Sequence, residues 1–255
     1  MKITFLGTGT SQGVPVIGCD CDVCSSVDFQ DKRLRSSIHV EWKGVSIVVD
    51  TGPDFRQQML SNRIKRLDAI LFTHEHKDHT AGLDDIRSFN FLQKMDMPIY
   101  ATQPVIDQLK REFSYIFAES KYPGIPLVEL HLIQNNSFEV NGLEIIPIEV
   151  MHHKMSVLGF RFGDFTYITD ANSISKSEME KIRGSKVLVL NALQLEHHLS
   201  HFTLNEALEV IKELNPEKAY LTHISHRLGK HRDLRHKLPT NVELAWDGLQ
   251  LDLEG

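Results

Sequence analysis

The chain has few cysteines and no long apolar run or excess of positive charge, and each shortage excludes a class of protein. Its 255 residues include three cysteines, Cys19, Cys21 and Cys24, all in one short segment. An odd number of cysteines packed this closely is a poor disulfide framework, and in the cytosol such clusters more often bind metal. The sequence therefore gives no support to a disulfide-stabilised secreted fold.

No apolar run approaches the roughly 20 residues that a membrane-spanning helix requires. The first apolar residues, Met1–Leu6, are too few for a secretory signal and are interrupted by Gly7. The net charge is −6, from 28 Lys and Arg against 34 Asp and Glu, so there is no excess of basic residues of the kind that indicates nucleic-acid binding. We therefore expect a cytoplasmic protein with no membrane partner, and binding of nucleic acid is not expected.

The order of predicted elements indicates one mixed α/β (α+β) domain over residues 1–255, because no repeat or low-complexity linker interrupts the chain. Two-residue turns such as Asn141-Gly142 favour antiparallel hairpins. The pattern predicts two mixed sheets that face each other with helices outside. Strands are predicted at 3–6, 38–42, 45–49, 69–72, 128–133, 143–150, 158–162, 166–169, 187–190, 219–222 and 242–245. Helices are predicted at 55–62, 104–112, 176–182 and 203–214.

The densest group of metal-binding side chains follows the predicted strand at 69–72. It reads His74-Glu75-His76-Lys77-Asp78-His79. His74 and His76 alternate by two, so an extended backbone directs both imidazoles the same way. Asp78 and His79 lie on the turn beyond and could serve a second ion. Imidazole and carboxylate donors suit Zn, Mn or Fe, and the segment predicts a catalytic metal centre rather than a surface loop.

A second group of metal donors is Cys19-Asp20-Cys21-Asp22-Val23-Cys24, a loop at about residues 19–24. Three thiolates can occupy three corners of a tetrahedral zinc site, which leaves one ligand to find. The chain has no further Cys, so the fourth ligand should be a His. His226, in Thr222-His223-Ile224-Ser225-His226, is the candidate.

The pattern His74-x-His76-x-Asp78-His79 resembles the signature of the metallo-β-lactamase superfamily. The resemblance implies a four-layer αββα sandwich with a two-metal site. It also implies three downstream ligands at strand ends, which match His152, Asp170 and His223. His153 is adjacent to His152 and is the alternative ligand at that position, since their side chains should point to opposite sides.

By this resemblance, the catalytic site holds two divalent cations, Zn or Mn or possibly Fe. One ion would be held by His74, His76 and His152, and the other by Asp78, His79 and His223. Asp170 would bridge both, with a water or hydroxide between them, and Asp78 would count among the catalytic residues.

The cysteine loop together with a late His-x-x-His, His223 and His226, resembles the cyclic-phosphate phosphodiesterases of phosphonate breakdown. In that group, the late His completes a structural zinc site, so Cys19, Cys21, Cys24 and His226 would hold one Zn. The opening Leu6-Gly7-Thr8-Gly9-Thr10 also resembles this group. A dinucleotide-binding loop is rejected there, because no helix opens and the third glycine is missing.

A histidine-rich segment, His197-His198-Leu199-Ser200-His201, precedes the predicted helix at 203–214. By resemblance to the phosphodiesterase and tRNA-processing relatives, His201 would be the general acid that protonates the leaving alkoxide, although a His near a helix start can equally cap it or stay solvated. Phosphate-binding candidates are Arg35, Arg56 and Arg87, and a basic group interpreted as solvated is Lys230, His231 and Arg232.

The leading interpretation is a two-metal hydrolase that acts on a small, possibly cyclic, phosphodiester. The nearest alternative is a nuclease like the tRNA 3′-processing endonucleases, although no basic inserted arm is visible. A further alternative is a non-catalytic zinc-binding relative like the one in quinone-cofactor biosynthesis, which has a degraded motif. The oligomeric state stays open, with a homodimer possible by resemblance.

Overall fold

The backbone is built around two β-sheets, each covered by its own helices. The computed structural model describes residues 1–118 and 122–253. The first unit comprises Met1–Gly7, Ser37–Gln134 and Gly248–Gly255, and the second comprises Thr8–Ser36 and Asn135–Asp247. The single-domain interpretation stays a prediction, and each unit is described by itself.

The described residues form fifteen strands. They are β1 (Lys2–Gly7), β2 (Ser37–Trp42), β3 (Val45–Val49), β4 (Ala69–Leu71), β5 (Met97–Ala101), β6 (Val128–Leu132), β7 (Phe138–Val140), β8 (Leu143–His152), β9 (Met155–Phe162), β10 (Phe165–Tyr167), β11 (Ser173–Ile174), β12 (Val187–Asn191), β13 (Lys218–Thr222), β14 (Val242–Leu244) and β15 (Gln250–Asp252).

The same residues form seven α-helices and two short 3-10 turns. The helices are α1 (Phe55–Ser61), α2 (Lys77–Thr80), α3 (Arg87–Gln93), α4 (Gln103–Glu112), α5 (Lys176–Ile182), α6 (Leu204–Leu214) and α7 (His231–Leu234). The 3-10 turns are Phe29–Asp31 and Leu83–Ile86. No helix among these is long and apolar enough to cross a membrane.

The sheet of the first unit has the order β15-β1-β2-β3-β4-β5-β6. The strands from β15 to β3 pair antiparallel, and those from β3 to β6 pair parallel. Val48 and Ile70 on one face of the sheet join Phe55 of α1 and Phe89 of α3 in one buried apolar cluster. Burial of these side chains removes apolar surface from water and holds the helices on that face.

The sheet of the second unit has the order β11-β8-β9-β10-β12-β13-β14, with β7 paired to β8. β10, β12, β13 and β14 pair parallel, whereas β8, β9 and β10 form antiparallel hairpins. Met179 of α5 and Ile211 of α6 pack on Leu188 and Leu221 in its apolar cluster. Ile182 lies three residues after Met179 on α5, and Ala207 lies four residues before Ile211 on α6, so each helix presents its buried residues on one face.

All eleven predicted strands and all four predicted helices are present, with ends that differ by three residues or fewer. The elements that sequence analysis missed include β5, α3 and the short strands β7, β11 and β15. β5 was missed because Pro98 interrupts its apolar pattern, and proline normally demotes a run from an interior strand. The Asn141-Gly142 turn joins β7 to β8 with φ of 48° and 78°, as an antiparallel two-residue hairpin requires.

The predicted site residues follow the carboxyl ends of strands within each unit. In the first unit, His74 comes three residues after β4. In the second unit, His152 ends β8, Asp170 comes three residues after β10, and His223 directly follows β13. Loops at the carboxyl ends of strands are where open α/β sheets place their ligand sites.

Candidate metal sites

The imidazole of His74 contacts two other imidazoles in the first unit. The ring centroid of His74 is 4.7 Å from that of His76 and 4.2 Å from that of His79. The carboxylate of Asp78 approaches this group, with Oδ2 3.2 Å from Nε2 of His79. Imidazolium groups at such distances would repel one another, so neutral rings around a cation are the favourable arrangement.

Asp50, which sequence analysis missed, orients His79. Its Oδ2 lies 2.7 Å from Nδ1 of His79 and accepts the Thr73 hydroxyl at 2.8 Å, while its Oδ1 accepts the backbone N–H of Thr73 at 2.9 Å. Burial raises the pKa of this carboxyl, and His79 opposes that shift. A carboxylate on Nδ1 makes Nε2 the nitrogen that would bind a metal, which is the usual outer support of a metal-binding His.

The backbone that carries Asp50 is held against the turn after His79. The Thr51 N–H donates to the His79 carbonyl at 2.8 Å, and the Gly82 N–H donates to the Thr51 carbonyl at 2.8 Å. A Cβ on Gly82 would lie only 2.1 Å from the Gly52 carbonyl oxygen. Glycine is therefore required at residue 82 for the two segments to approach this closely.

In the second unit, Asp170 and His223 lie side by side, both buried. Oδ1 of Asp170 is 2.8 Å from Nδ1 of His223. The Ser36 hydroxyl is 3.2 Å from the same nitrogen, and the Thr169 hydroxyl donates to Oδ1 of Asp170 at 2.5 Å. These contacts fix the His223 ring through Nδ1, so its Nε2 is the candidate metal-binding atom.

His152 and His153 occupy different environments. His152 is buried, and its Nδ1 lies 2.8 Å from the Ser200 carbonyl, to which it can donate. His153 is exposed, has φ of 57° and contacts Asn172 only through its backbone N–H, at 2.9 Å. The oriented and buried ring favours His152 as the ligand, and the assignment stays a prediction.

Three buried acidic or imidazole residues have left-handed backbone conformations. The φ angles are 65° for Asp50, 55° for Asp170 and 53° for His223. An L-residue in this region costs about 1–2 kcal/mol relative to a helical or extended conformation. Strained non-glycine residues cluster at functional sites, where the surrounding structure holds them in place.

His201 lies among the imidazoles of the second unit. Its ring centroid is 4.6 Å from that of His152, 4.7 Å from that of His223 and 5.1 Å from that of His198. Burial is the main reason that the pKa of His201 falls to about 3, and the neighbouring His223 lowers it further. A neutral ring at neutral pH donates a hydrogen bond but is a weak acid, so the general-acid role stays a prediction.

The four residues predicted to hold a structural zinc come together in the second unit. Nδ1 of His226 lies 3.3 Å from Sγ of Cys19, 3.3 Å from Sγ of Cys21 and 3.5 Å from Sγ of Cys24. Zinc bonds of about 2.3 Å to sulfur and about 2.0 Å to nitrogen place tetrahedral ligands about 3.5 Å apart. The four donor atoms therefore fit around one zinc ion.

Backbone N–H groups support the thiol sulfurs. The Val16 N–H donates to Sγ of Cys24 at 3.3 Å, and the Cys24 N–H donates to Sγ of Cys21 at 3.5 Å. The Cys24 backbone bond is the main reason that the pKa of Cys21 falls to about 6, whereas burial raises the pKa of Cys24 to about 11. Thiolate is the form that binds zinc, and a metal would favour it at both positions.

Several other predicted residues have structural contacts of their own. Arg87 pairs with Asp84 at 3.3 Å, Arg35 donates to the Ser11 carbonyl at 3.1 Å, and Arg56 is exposed on α1. His197 is exposed, and its Nδ1 lies 3.9 Å from a carboxylate oxygen of Glu206. A phosphate-binding role for the three arginines stays a prediction.

The interpretation of His231 as a solvated basic residue is wrong. His231 is buried, its N–H donates to Oδ1 of Asp31 at 2.8 Å, and its ring is 5.6 Å from that of Trp246. Nη2 of the buried Arg33 lies 3.4 Å from its Nδ1. Burial lowers the pKa of His231 to about 4, because a charged ring would lose its hydration there.

Asn191, at the end of β12, is a second residue that sequence analysis missed. Its side-chain oxygen accepts the Ala171 N–H at 2.7 Å, and its amide donates to the Ala171 carbonyl at 2.9 Å. The two bonds hold the backbone next to Asp170. A buried Asn directly after an apolar strand was the available signal, because a buried amide requires hydrogen-bond partners.

A family model described as the beta-lactamase superfamily domain matches residues 46–224. A solved structure, described as a new diphosphatase from the PhnP family, is 42% identical, with a TM-score of 0.92 over 99% of this chain and 98% of that chain. The likeness covers both sheets, and it confirms the predicted αββα metallo-β-lactamase fold class.

Two related proteins are described by activities other than diphosphatase. An octanoyltransferase from Porphyromonas gingivalis is 37% identical over 98% of this chain, but the chain spans only 51% of its length. A ribonuclease Z from Pyrobaculum islandicum is 25% identical over 93% of this chain and 90% of its own length. The chain therefore spans about half of the first relative and nearly all of the second.

Proposed function

The chain belongs to the metallo-β-lactamase superfamily, and from that premise we propose that it is a metal-dependent hydrolase of small phosphodiesters or diphosphates. The observation that carries the proposal is the orientation of two predicted ligands. His79 and His152 each have Nδ1 close to a protein oxygen, which would leave Nε2 to bind a metal in both. Such support is typical of metal-binding histidines.

The donor sets fit divalent cations by their chemistry. The predicted His and Asp ligands in each unit are buried or partly buried, apart from the exposed His76, and a cation would relieve their mutual repulsion. The proposed ligand set is the one implied by the family resemblance: His74, His76, Asp78, His79, His152, Asp170 and His223. Two bound cations would polarise a phosphoryl oxygen and lower the pKa of water.

Other residues of the chain would orient the metal ligands and donate a proton to the leaving group. Asp50 holds the His79 ring, and the Ser200 carbonyl holds the His152 ring. His201, beside His152 and His223, would donate a proton or a hydrogen bond to the leaving oxygen. A diphosphate substrate is supported by the 42% identical structure, which is described as a diphosphatase of the PhnP family.

The test is hydrolysis of a substrate panel by the full chain loaded with Zn, Mn or Fe in turn. The panel contains bis-p-nitrophenyl phosphate, a 2′,3′-cyclic nucleotide, a dinucleoside diphosphate and a precursor tRNA. We expect turnover of at least one small substrate. His152→Ala should reduce that turnover by at least about 100-fold, because an oriented ligand is lost.

His153→Ala is the matched control, since the neighbouring imidazole is exposed and should be dispensable. Equal losses in both variants would contradict the ligand assignment. No turnover of any small substrate with any metal would overturn the proposed function.

A nuclease is the second candidate, because the ribonuclease Z relative aligns over nearly the whole chain. Cleavage of the precursor tRNA without turnover of any small substrate would favour the nuclease. A non-catalytic zinc-binding protein is less well supported, because the His74-x-His76-x-Asp78-His79 motif is complete.

A further inference from the structure

A polar cavity lies in the first unit, on the face of the sheet that carries Val48. Thr4 of β1 pairs with His39 of β2, and His39 pairs with Val48 of β3, so the three side chains share a face. Val48 packs with α1, whereas Thr4 and His39 lie in a part of the face that lines a cavity of about 520 Å³. This volume is within the range of small-molecule sites.

The segment after α1, residues 62–66, forms a wall of the cavity and is tied to its floor. The Ser46 hydroxyl donates to the Arg66 carbonyl at 2.7 Å and lies 2.7 Å from Nε2 of the buried His39. Asn62, Arg63 and Lys65 of this segment also line the cavity. The cavity is therefore held by hydrogen bonds between the wall and the sheet.

Positive charge converges on this cavity although the chain as a whole carries −6. Lys2, Arg63 and Lys65 line it, and within residues 1–118 and 122–253 none of them forms an ion pair with a carboxylate. Arg66 also lines it but pairs with Asp68 at 2.9 Å. The lining includes one carboxylate, Glu41, which is exposed.

Arg63 occupies a position where glycine is the usual residue. The Arg63 N–H donates to the Leu60 carbonyl at 3.2 Å, and the Ile64 N–H donates to the Met59 carbonyl at 3.0 Å. These two bonds form a Schellman motif at the end of α1, and Arg63 has the left-handed φ of 54° that the motif requires. A side chain other than glycine is strained in this conformation, and Arg63, which is exposed, is one of the residues that line the cavity.

We propose that this cavity binds the phosphate group of a small phosphate monoester, at a site separate from the predicted metal ligands. Three unpaired cations match a phosphate dianion, and the Arg63 fork matches its oxygens. The hydroxyl of Thr4 and the amides of Asn62 and Gln250 offer contacts for the rest of a ligand. The proposal does not rest on the hydrolase activity.

The test is calorimetric titration of the full-length chain with adenosine 5′-monophosphate, with adenosine as the uncharged control. The exposed ligand candidate His76 is replaced by Ala in every variant, so that phosphate binding at the predicted metal centre does not contribute. Arg63→Gly removes the charge and relieves the backbone strain. Lys94→Gly is the matched control, because Lys94 ends α3 with φ of 55° and lies outside the cavity.

We expect the monophosphate to bind and adenosine not to bind. Arg63→Gly should weaken binding about tenfold or more with an unchanged or raised melting temperature, and Lys94→Gly should leave binding unchanged. Lys65→Gln should also weaken binding. The proposal is overturned by an absence of binding to the monophosphate, by equal binding of adenosine, or by equal effects of Arg63→Gly and Lys94→Gly.

Discussion

At the scale of single residues, the predicted ligands depend on neighbours that the sequence motif does not contain. His79 is oriented by Asp50, His152 by the Ser200 carbonyl, and the backbone at Asp170 by Asn191. Asp50 and Asp170 also adopt strained left-handed conformations. Each of these contacts fixes one ring nitrogen or one backbone segment, and together they prepare the donors before a metal arrives.

Asp50→Asn should weaken metal binding about 10–100-fold, because the amide supports the His79 ring less well than a carboxylate. Competition with a metal-chelating dye measures the affinity. Asp68→Asn is the control, since Asp68 is also buried and accepts the Ser46 N–H at 2.8 Å but has no contact with a predicted ligand. If both variants bind metal as the original chain does, Asp50 has no supporting role.

His201→Gln should slow substrates with poor leaving groups more than nitrophenyl substrates, if His201 donates a proton to the leaving oxygen. Nitrophenolate needs little protonation to leave, so it provides the internal control. We expect a difference of at least about tenfold between the two substrate types. Equal losses for both would place His201 in a binding role, in agreement with its lowered pKa of about 3.

At the scale of elements, helix α6 begins three residues after His201, the predicted proton donor. Thr203 caps the helix, its hydroxyl accepts the Glu206 N–H at 3.3 Å, and the Glu206 carboxylate accepts the Thr203 N–H at 2.8 Å. The Phe202 N–H, between His201 and the cap, donates to the Ala171 carbonyl at 2.7 Å. The helix start therefore fixes the backbone on which His201 sits.

Thr203→Ala should destabilise the chain by about 1 kcal/mol and reduce turnover, because the cap holds the segment next to His201. Urea unfolding measures the stability change. Ser175→Ala is the matched control, since Ser175 caps α5 in the same way, with its hydroxyl 3.3 Å from the Glu178 N–H. For Ser175→Ala we expect a similar loss of stability with unchanged turnover. If the two variants have equal turnover, the Thr203 cap does not contribute to activity.

At the scale of the whole molecule, the metals are expected to act in two separate roles. The cysteine site lies within the second unit and is built from a loop and a late His. The Val14, Val23 and Cys24 side chains form a small apolar cluster of their own beside it. Such a loop has little apolar area to bury, so a metal would contribute much of its order.

Cys21→Ser should reduce the metal content from about three ions per chain to about two, and it should lower the melting temperature. Elemental analysis of the purified chain measures the count. Cys21 is exposed, so the substitution itself leaves no cavity. A count of one ion in the unaltered chain would contradict the two-metal proposal, and an unchanged count in Cys21→Ser would contradict the structural zinc site.

The sequence by itself determined the strands, the main helices and the kinds of metal donor, because these follow from local patterns: alternating apolar residues, cap residues and His or Cys spacing. It could not determine β5, where Pro98 broke the pattern, nor the supporting roles of Asp50 and Asn191. It favoured His152 over the adjacent His153 only by family resemblance, and it interpreted His231 as solvated.

Only the tertiary structure decided the burial of His231, the presence of β5 and the contacts of Asp50 and Asn191, since burial and hydrogen bonding join residues far apart in the chain. The choice of His152 as the ligand stays a prediction, which its burial supports. His226 and Cys19 are 207 residues apart in sequence, yet their side chains lie 3.3 Å from each other. His74-x-His76-x-Asp78-His79 could be recognised as a metal motif from six consecutive letters. The ring orientation that prepares it for a metal depends on Asp50, which comes 29 residues before His79.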